Sequence, residues 1–278
     1  MAMRVCVLGS GSGGNCTLVE GERTRVLIDA GRLSVKYIRE SLEKLGVRLD
    51  EITGIVATHA HGDHVDKTTF SLVRKYCIPL HVHSGTMPCV TAATGAFSEL
   101  ERGGSICLFE TEPFTVGEFL IAPYRVPHAN DWGRNSAGAP VGFVIEQRPG
   151  GAKLGYATDL GTVPETLVEA FAGSDALVLE SNHDVEWEYM SGRPPWLVNW
   201  VVSDRGHLSN DQAGNALSAI LARSAHRPKG ILLAHLSRDC NSEQLALGVV
   251  RSHLRLAGFD GFFTAACRQR EISPVIEF

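Results

Sequence analysis

The sequence predicts a layered α/β domain in which two packed sheets carry helices on their outer faces. Three features predict it. Apolar, β-branched runs recur along the whole chain. The early part is strand-rich with short turns, and the later part alternates strand with helix. No linker, low-complexity segment or charge block interrupts the 278 residues, so one domain is expected over residues 1–278.

Strands are expected over residues 4–8, 16–19, 25–28, 52–58, 80–82, 119–123, 142–145, 153–158, 176–180, 231–234 and 261–264. Helical spacing of apolar residues covers 34–45, 66–76, 163–171, 211–222 and 242–256. Ser209 and Asn210 are N-cap types ahead of the fourth helix, and Gly258 stands where the fifth should stop. Residues 130–140, rich in Gly, Ser and Ala, are expected to form a mobile surface loop.

Composition narrows the function classes. The chain is 44% hydrophobic and 21% charged, so it can bury a sizeable core. Its net charge is −5, which argues against broad electrostatic gripping of nucleic acid and would require a local basic groove. Seven cysteines without a Cys-x-x-Cys pair read as reduced core residues of a soluble, cytoplasmic protein. No secretory leader and no run near the roughly 20 apolar residues of a membrane span is expected. Oligomeric state is left open.

The chemistry concentrates in Thr58-His59-Ala60-His61-Gly62-Asp63-His64, directly after an apolar strand. Positions i and i+2 of an extended segment point the same way, so His59 and His61 can address one ion. Gly62 lets the chain turn, and Asp63 and His64 then reach a neighbouring point at the start of a helix. Imidazoles and a carboxylate together suit a borderline divalent ion such as Zn, Mn or Fe. His128, Asp159 and His235 are ligand-type residues that each follow a buried strand, where loops gather. Asp29 has the same placement and can orient a metal-bound imidazole.

This ordered set resembles the metallo-β-lactamase superfamily across nearly the whole chain. The resemblance implies a four-layered αββα sandwich with the site at one edge of both sheets. It implies that His59, His61 and His128 hold one metal, that Asp63, His64 and His235 hold another, and that Asp159 bridges the two. The segments Gly9-Ser10-Gly11-Ser12-Gly13-Gly14-Asn15-Cys16, Leu27-Ile28-Asp29-Ala30-Gly31, Glu180-Ser181-Asn182-His183-Asp184 and Gly206-His207-Leu208-Ser209-Asn210 are similar to the YycJ/WalJ-like branch, described as nuclease-like phosphodiesterases. More distantly the chain is similar to tRNase Z and the PhnP phosphodiesterase. Those relatives pair a glutamate with a histidine that helps the leaving group, and Glu180 and His207 stand where that pair would be.

The expected activity is therefore hydrolysis of a phosphodiester, nucleic acid being one candidate. Two divalent ions roughly 3.5–4 Å apart would bridge a hydroxide for in-line attack. Asp63 would orient it, and His207, tuned by Glu180, would protonate the leaving alkoxide. Hydrolysis of a lactone or thioester on the same metals is the alternative, and a non-catalytic regulatory module is a further one. The differences from relatives lie on the substrate side. The third motif reads His128-Ala129-Asn130-Asp131 where relatives read His-Asp-Ala. Relatives often carry basic residues ahead of Gly206, where this chain has Val198-Asn199-Trp200-Val201-Val202 with only Arg205 close by.

Other signals are secondary. Residues 9–14 fit G-x-G-x-x-G, but a strand follows where a dinucleotide fold needs a helix, so the segment reads as a turn from which Asn15 approaches substrate. His81 and His83 lack a carboxylate partner and read as structural. His226 and His253 read as solvated. His183 is a candidate for lining the substrate pocket, and Trp187, Trp196 and Trp200 cluster between the Glu180 and His207 motifs. The metal assignment predicts that His61→Ala loses one ion and most turnover. Elemental analysis with a rate assay checks this, and full occupancy with wild-type turnover would refute it.

Overall fold

A computed structural model describes residues 2–94, 104–129, 137–261, 264–268 and 270–278. One seven-stranded sheet has the order β14-β1-β2-β3-β4-β5-β6: β1 is Arg4–Gly9, β2 Cys16–Glu20, β3 Arg25–Ile28, β4 Gly54–Val56, β5 Leu80–His83, β6 Ile106–Phe109 and β14 Ile276–Glu277. The other has the order β13-β12-β11-β10-β9-β8-β7: β7 is Phe114–Val116, β8 Phe119–Arg125, β9 Val141–Gln147, β10 Lys153–Ala157, β11 Ala176–Glu180, β12 Gly230–Ala234 and β13 Thr264–Ala266.

Alternation along the strands builds the layers. In β1, Val5 and Val7 point into the core between the sheets, where they meet Phe143, Tyr156 and Val178 of the second sheet. Cys6 and Leu8 point outward, under α1 (Val35–Lys44) and α2 (Lys67–Tyr76), whose Ile38, Leu42, Leu72 and Val73 cover them. The second sheet repeats this with Leu177, Leu179 and Leu233 beneath α4 (Glu165–Phe171), α7 (Asn210–Arg223) and α8 (Glu243–Leu256). Central strands are thus covered on both faces, which is why they read as continuous apolar runs. The four-layered αββα sandwich is the observed architecture.

Differences from the sequence reading fall at margins. β6, β7 and β14 are short edge or near-edge strands without an apolar alternation to announce them; Leu108 of β6 is 55% exposed. Helices α3 (Met87–Thr94), α5 (Val185–Met190) and α6 (Pro195–Val201) are also additions. Residues 130–136 of the expected mobile loop lie outside the described residues. The remainder, 137–140, is not a surface loop. Ala137 and Ala139 are buried, and Ala60 N donates to Ala137 O at 3.0 Å. Small side chains there serve close packing against the ligand loop.

What positions the site is a pair of parallel arrays. β3, β4 and β5 run parallel in one sheet, and β10, β11 and β12 in the other. Their carboxyl ends gather at one edge, where loops leave the sheets. Asp29, Asp159 and His235 each take the first or second position past a strand and each adopts a left-handed φ, of 59°, 58° and 56°. The chain thereby turns sharply while the side chain stays at the sheet edge. Gly31 has an absolute steric role: a Cβ there would lie 2.4 Å from Asp63 C and His64 N. Gly31→Ala is therefore expected to push the 63–64 backbone away and to lose bound metal together with several degrees of Tm, read by elemental analysis and thermal melting. Normal metal content would show that this backbone can yield.

Candidate metal centre

The residues singled out after β4, β8, β10 and β12 converge at this edge. His59 Nε2 lies 3.0 Å from His61 Nδ1, and His128 Nε2 lies 3.2 Å from the same atom. Donors on a tetrahedral ion with bonds of about 2.0–2.1 Å stand about 3.3 Å apart. Imidazole nitrogens at this spacing fit a shared cation. His61 Nε2 is buried without a hydrogen-bond partner, but the outer nitrogens of the other two rings are engaged: His128 Nδ1 donates to Gly206 O at 2.9 Å, and His59 Nδ1 lies 3.0 Å from Thr58 Oγ1. These contacts fix which face of those two rings looks inward.

A second donor set comprises Asp63, His64 and His235. Asp63 Oδ2 lies 3.6 Å from the Nε2 atoms of both histidines. Asp159 lies between the sets, with Oδ2 3.1 Å from His64 Nε2, and Oδ1 3.4 Å from His235 Nε2 and 3.9 Å from His128 Nε2. His235 Nε2 is buried without a hydrogen-bond partner, a costly state for a polar atom unless a ligand meets it. The donor chemistry and this orphaned nitrogen fit divalent ions bound here.

Burial and charge split the titratable groups. Burial, reinforced by neighbouring imidazoles, holds His59 well below its ordinary value, depresses His61, and takes His128 down to about 3. Their rings are neutral and offer lone pairs. In the second set burial acts against charge, but carboxylates outweigh it. His64 is raised well above its usual value by Asp159, Asp29 and Asp63, and His235 is raised to about 10 chiefly by Asp159. Burial would raise the carboxyls too, yet His64 and His235 hold Asp63 at about 2, and Asp159 lies well below the ordinary range.

The supporting groups are buried. Asp29 accepts from Thr58 N at 2.9 Å, Thr58 Oγ1 at 2.8 Å and His64 Nδ1 at 2.8 Å. Glu180 Oε1 accepts from His207 Nδ1 at 2.8 Å and from His235 Nδ1 at 2.9 Å, and its Oε2 accepts from Leu160 N and Leu208 N. Burial opposes ionisation of Glu180, but His207 and His235 hold it at about 2. One carboxylate thus orients a candidate ligand and the histidine beside it.

Asn15 is buried, with Nδ2 2.9 Å from His64 Nε2 and Oδ1 accepting from Gly11 N. It ties the glycine turn to the second donor set. His183 is buried, and its Nδ1 has no hydrogen-bond partner. His81 stacks on Phe114 and His83 Nδ1 accepts from Gly85 N, as structural residues would. His226, expected to be solvated, is exposed and also reaches Asp175 at 3.0 Å, while His253 is only partly exposed and reaches Asp211 at 2.8 Å. Sequence reasoning missed Ser10, whose Oγ accepts from His235 N at 2.7 Å, and Asn182, whose Nδ2 donates to His235 O at 2.6 Å. A polar residue beside each strand-end motif is the signal that could have found them.

Residues 24–226 match the family model described as the Beta-lactamase superfamily domain. The chain is 31% identical over 260 residues to "Exodeoxyribonuclease YycJ" of Bacillus anthracis, covering 93% of this chain and 92% of that protein. It is 30% identical over 256 residues to "Exodeoxyribonuclease WalJ" of Streptococcus pneumoniae, covering 88% and 86%. The crystal structure of the metallo-beta-lactamase fold protein YhfI from Bacillus subtilis matches with a TM-score of 0.66 at 17% identity, over 100% of both chains. The chain belongs to the metallo-β-lactamase superfamily, in its YycJ/WalJ-like branch, and is a metal-dependent hydrolase. Among the described residues no helix is long and apolar enough to cross a membrane.

Burial lowers the His183 imidazole to about 4. The unfolded chain binds this proton near pH 6.5 and the folded chain only near 4, so acid favours unfolding. The stabilisation is complete above pH 6.5 and falls by about 3 kcal/mol toward pH 4. Urea unfolding across this range should show a shallower pH slope for His183→Gln than for wild type. Identical slopes would mean that His183 is not held neutral.

Proposed function

We propose that the chain is a dinuclear phosphodiesterase that cleaves nucleic acid, with an exonuclease acting on DNA as the best-supported form. The names of the YycJ and WalJ relatives support DNA as the substrate. The observation that carries the reading is His207, held on Glu180 and 3.8 Å from Asp159 Oδ1, at the rim of the donor sets. A phosphodiester expels an alkoxide, and an alkoxide needs a proton donor at this place. Residues 1–278 act as one domain in this reading, because both sheets contribute to one set of donors.

His59, His61 and His128 would hold one ion, and Asp63, His64 and His235 the other, with Asp159 reaching both. Bound divalent ions supply a water of lowered pKa and neutralise charge developing on the phosphoryl oxygens. The chain's own residues do the rest. Asp63, ionised and with 14% of its side chain exposed, orients the attacking water. Asp29 and Glu180 fix the rings of His64 and His235 through their Nδ1 atoms, which leaves each Nε2 facing inward. His207 donates its proton to the leaving oxygen as the P–O bond breaks.

This assignment gives His207→Ala an uneven effect. Turnover of an oligodeoxynucleotide, whose leaving group is a poor one, falls about 100-fold or more. Turnover of a chromogenic bis-aryl phosphate, whose phenolate leaves unaided, falls far less. Equal losses on both would remove His207 from proton donation. Strong turnover of lactones beside inert phosphodiesters would replace the reading with the carbonyl alternative.

A further inference from the structure

The side of the site next to His207 is poor in cations for holding a polyanion. Between residues 184 and 205 the segment walling the site carries Asp184, Glu186, Glu188 and Asp204 against Arg193 and Arg205. Arg193 is spent on Glu188 and Asp239, with Nη1 3.1 Å from Glu188 Oε2 and Nη2 2.6 Å from Asp239 Oδ2. That leaves Arg205 as the cation this segment can offer a phosphate.

The segment also offers indoles. Trp200 sits at the C-terminal end of α6, and its Nε1 donates to Ala129 O at 2.7 Å, next to His128. Its ring lies 5.2 Å from the His207 ring, edge to face, and 6.0 Å from the His128 ring. Trp200 thus spans a candidate ligand of the first donor set and the proton donor. Trp196 lies four residues earlier in the same helix, and i and i+4 share a face about one turn apart. Trp196 is 50% exposed. Trp196 thus stands one helical turn before the indole that packs on His207.

We infer that Trp196 and Trp200 are a base-stacking ladder for the single-stranded DNA segment on the leaving-group side. The inference rests on the reading of His207 as the group that protonates the leaving oxygen. Whatever His207 protonates lies within reach of Trp200, and the next nucleotide lies within reach of Trp196. Every base has a π-face, so the ladder is tolerant of sequence and independent of charge. It supplies affinity to a chain of net charge −5 without cation–phosphate contacts.

The test uses the metal-loaded full chain and short oligo-dT strands, intact or abasic at the two leaving-side positions. On the intact strand, Trp196→Ala is expected to raise KM roughly 5- to 100-fold with a much smaller change in kcat. On the abasic strand that penalty disappears, because the partner of the indole is already missing. Trp200→Ala raises KM and also lowers kcat, since it loses its packing on His207, while Trp200→Phe recovers most of the KM. Wild-type affinity should depend weakly on salt, with a log–log slope shallower than about −1.5, equivalent to about two phosphate contacts. An equal Trp196→Ala penalty on intact and abasic strands, or a steep slope, overturns the ladder. So does a Trp196→Ala variant that changes oligomeric state in sedimentation while binding oligo-dT as wild type does. Turnover of a bis-aryl phosphate, which has no nucleobase, separates the two levels. If it is present and Trp196→Ala binds DNA normally, only the ladder fails. If wild type lacks it, the underlying reading of the site fails as well.

Discussion

Asp29 is the interaction on which the site's geometry depends. Its side chain has no exposed surface, and a carboxylate buried in that position must be filled with donors. It takes Thr58 N and Oγ1 from the end of β4 and Nδ1 from His64. Three contacts on one carboxylate join the end of β3, the start of the ligand loop and a ring of the second donor set. Gly31, two residues on, then lets the 63–64 backbone pass at a distance no side chain would permit. The loop carrying His59 to His64 is held from beneath by the protein's own groups.

Above this base the two donor sets differ in kind. His59, His61 and His128 are kept neutral by burial, and outer hydrogen bonds orient the first and the last of them. His64 and His235 belong to a mesh of carboxylates in which each charge is answered by another. Glu180 extends the mesh, because a single oxygen serves both His235 and His207. The positions of the His235 and His207 rings are therefore not independent. A shift in one ring is felt by the other through an atom they share, which is a tighter coupling than spatial proximity alone would give.

Much of this was legible in the sequence where local rules act alone. His59 to His64 are adjacent in the chain, so strand periodicity and one glycine suffice to predict their convergence. Asp29, Asp159 and His235 were recognisable because each follows a buried strand, and parallel strands end together. Helix starts were legible from single caps: Ser209 Oγ accepts from Gln212 N at 3.2 Å, as its type suggested. The rest depends on tertiary context. Leu108 on β6 has little to pack against, so no apolar alternation marks that strand. The burial of Ala137 and Ala139 follows from the approach of Ala60, which composition misread as surface. That Glu180 faces two histidines from different loops could not be read from spacing, since residues 180, 207 and 235 meet only when β11 and β12 are paired.

The left-handed backbone at Asp29, Asp159 and His235 carries an implication of its own. Each costs about 1 kcal/mol that glycine would not incur at the same place. The molecule keeps these residues where a more comfortable backbone is one substitution away. Asp29 shows why the strain is kept: glycine there would relieve the backbone but leave Thr58 N, Thr58 Oγ1 and His64 Nδ1 buried without their acceptor, a larger loss than the strain itself.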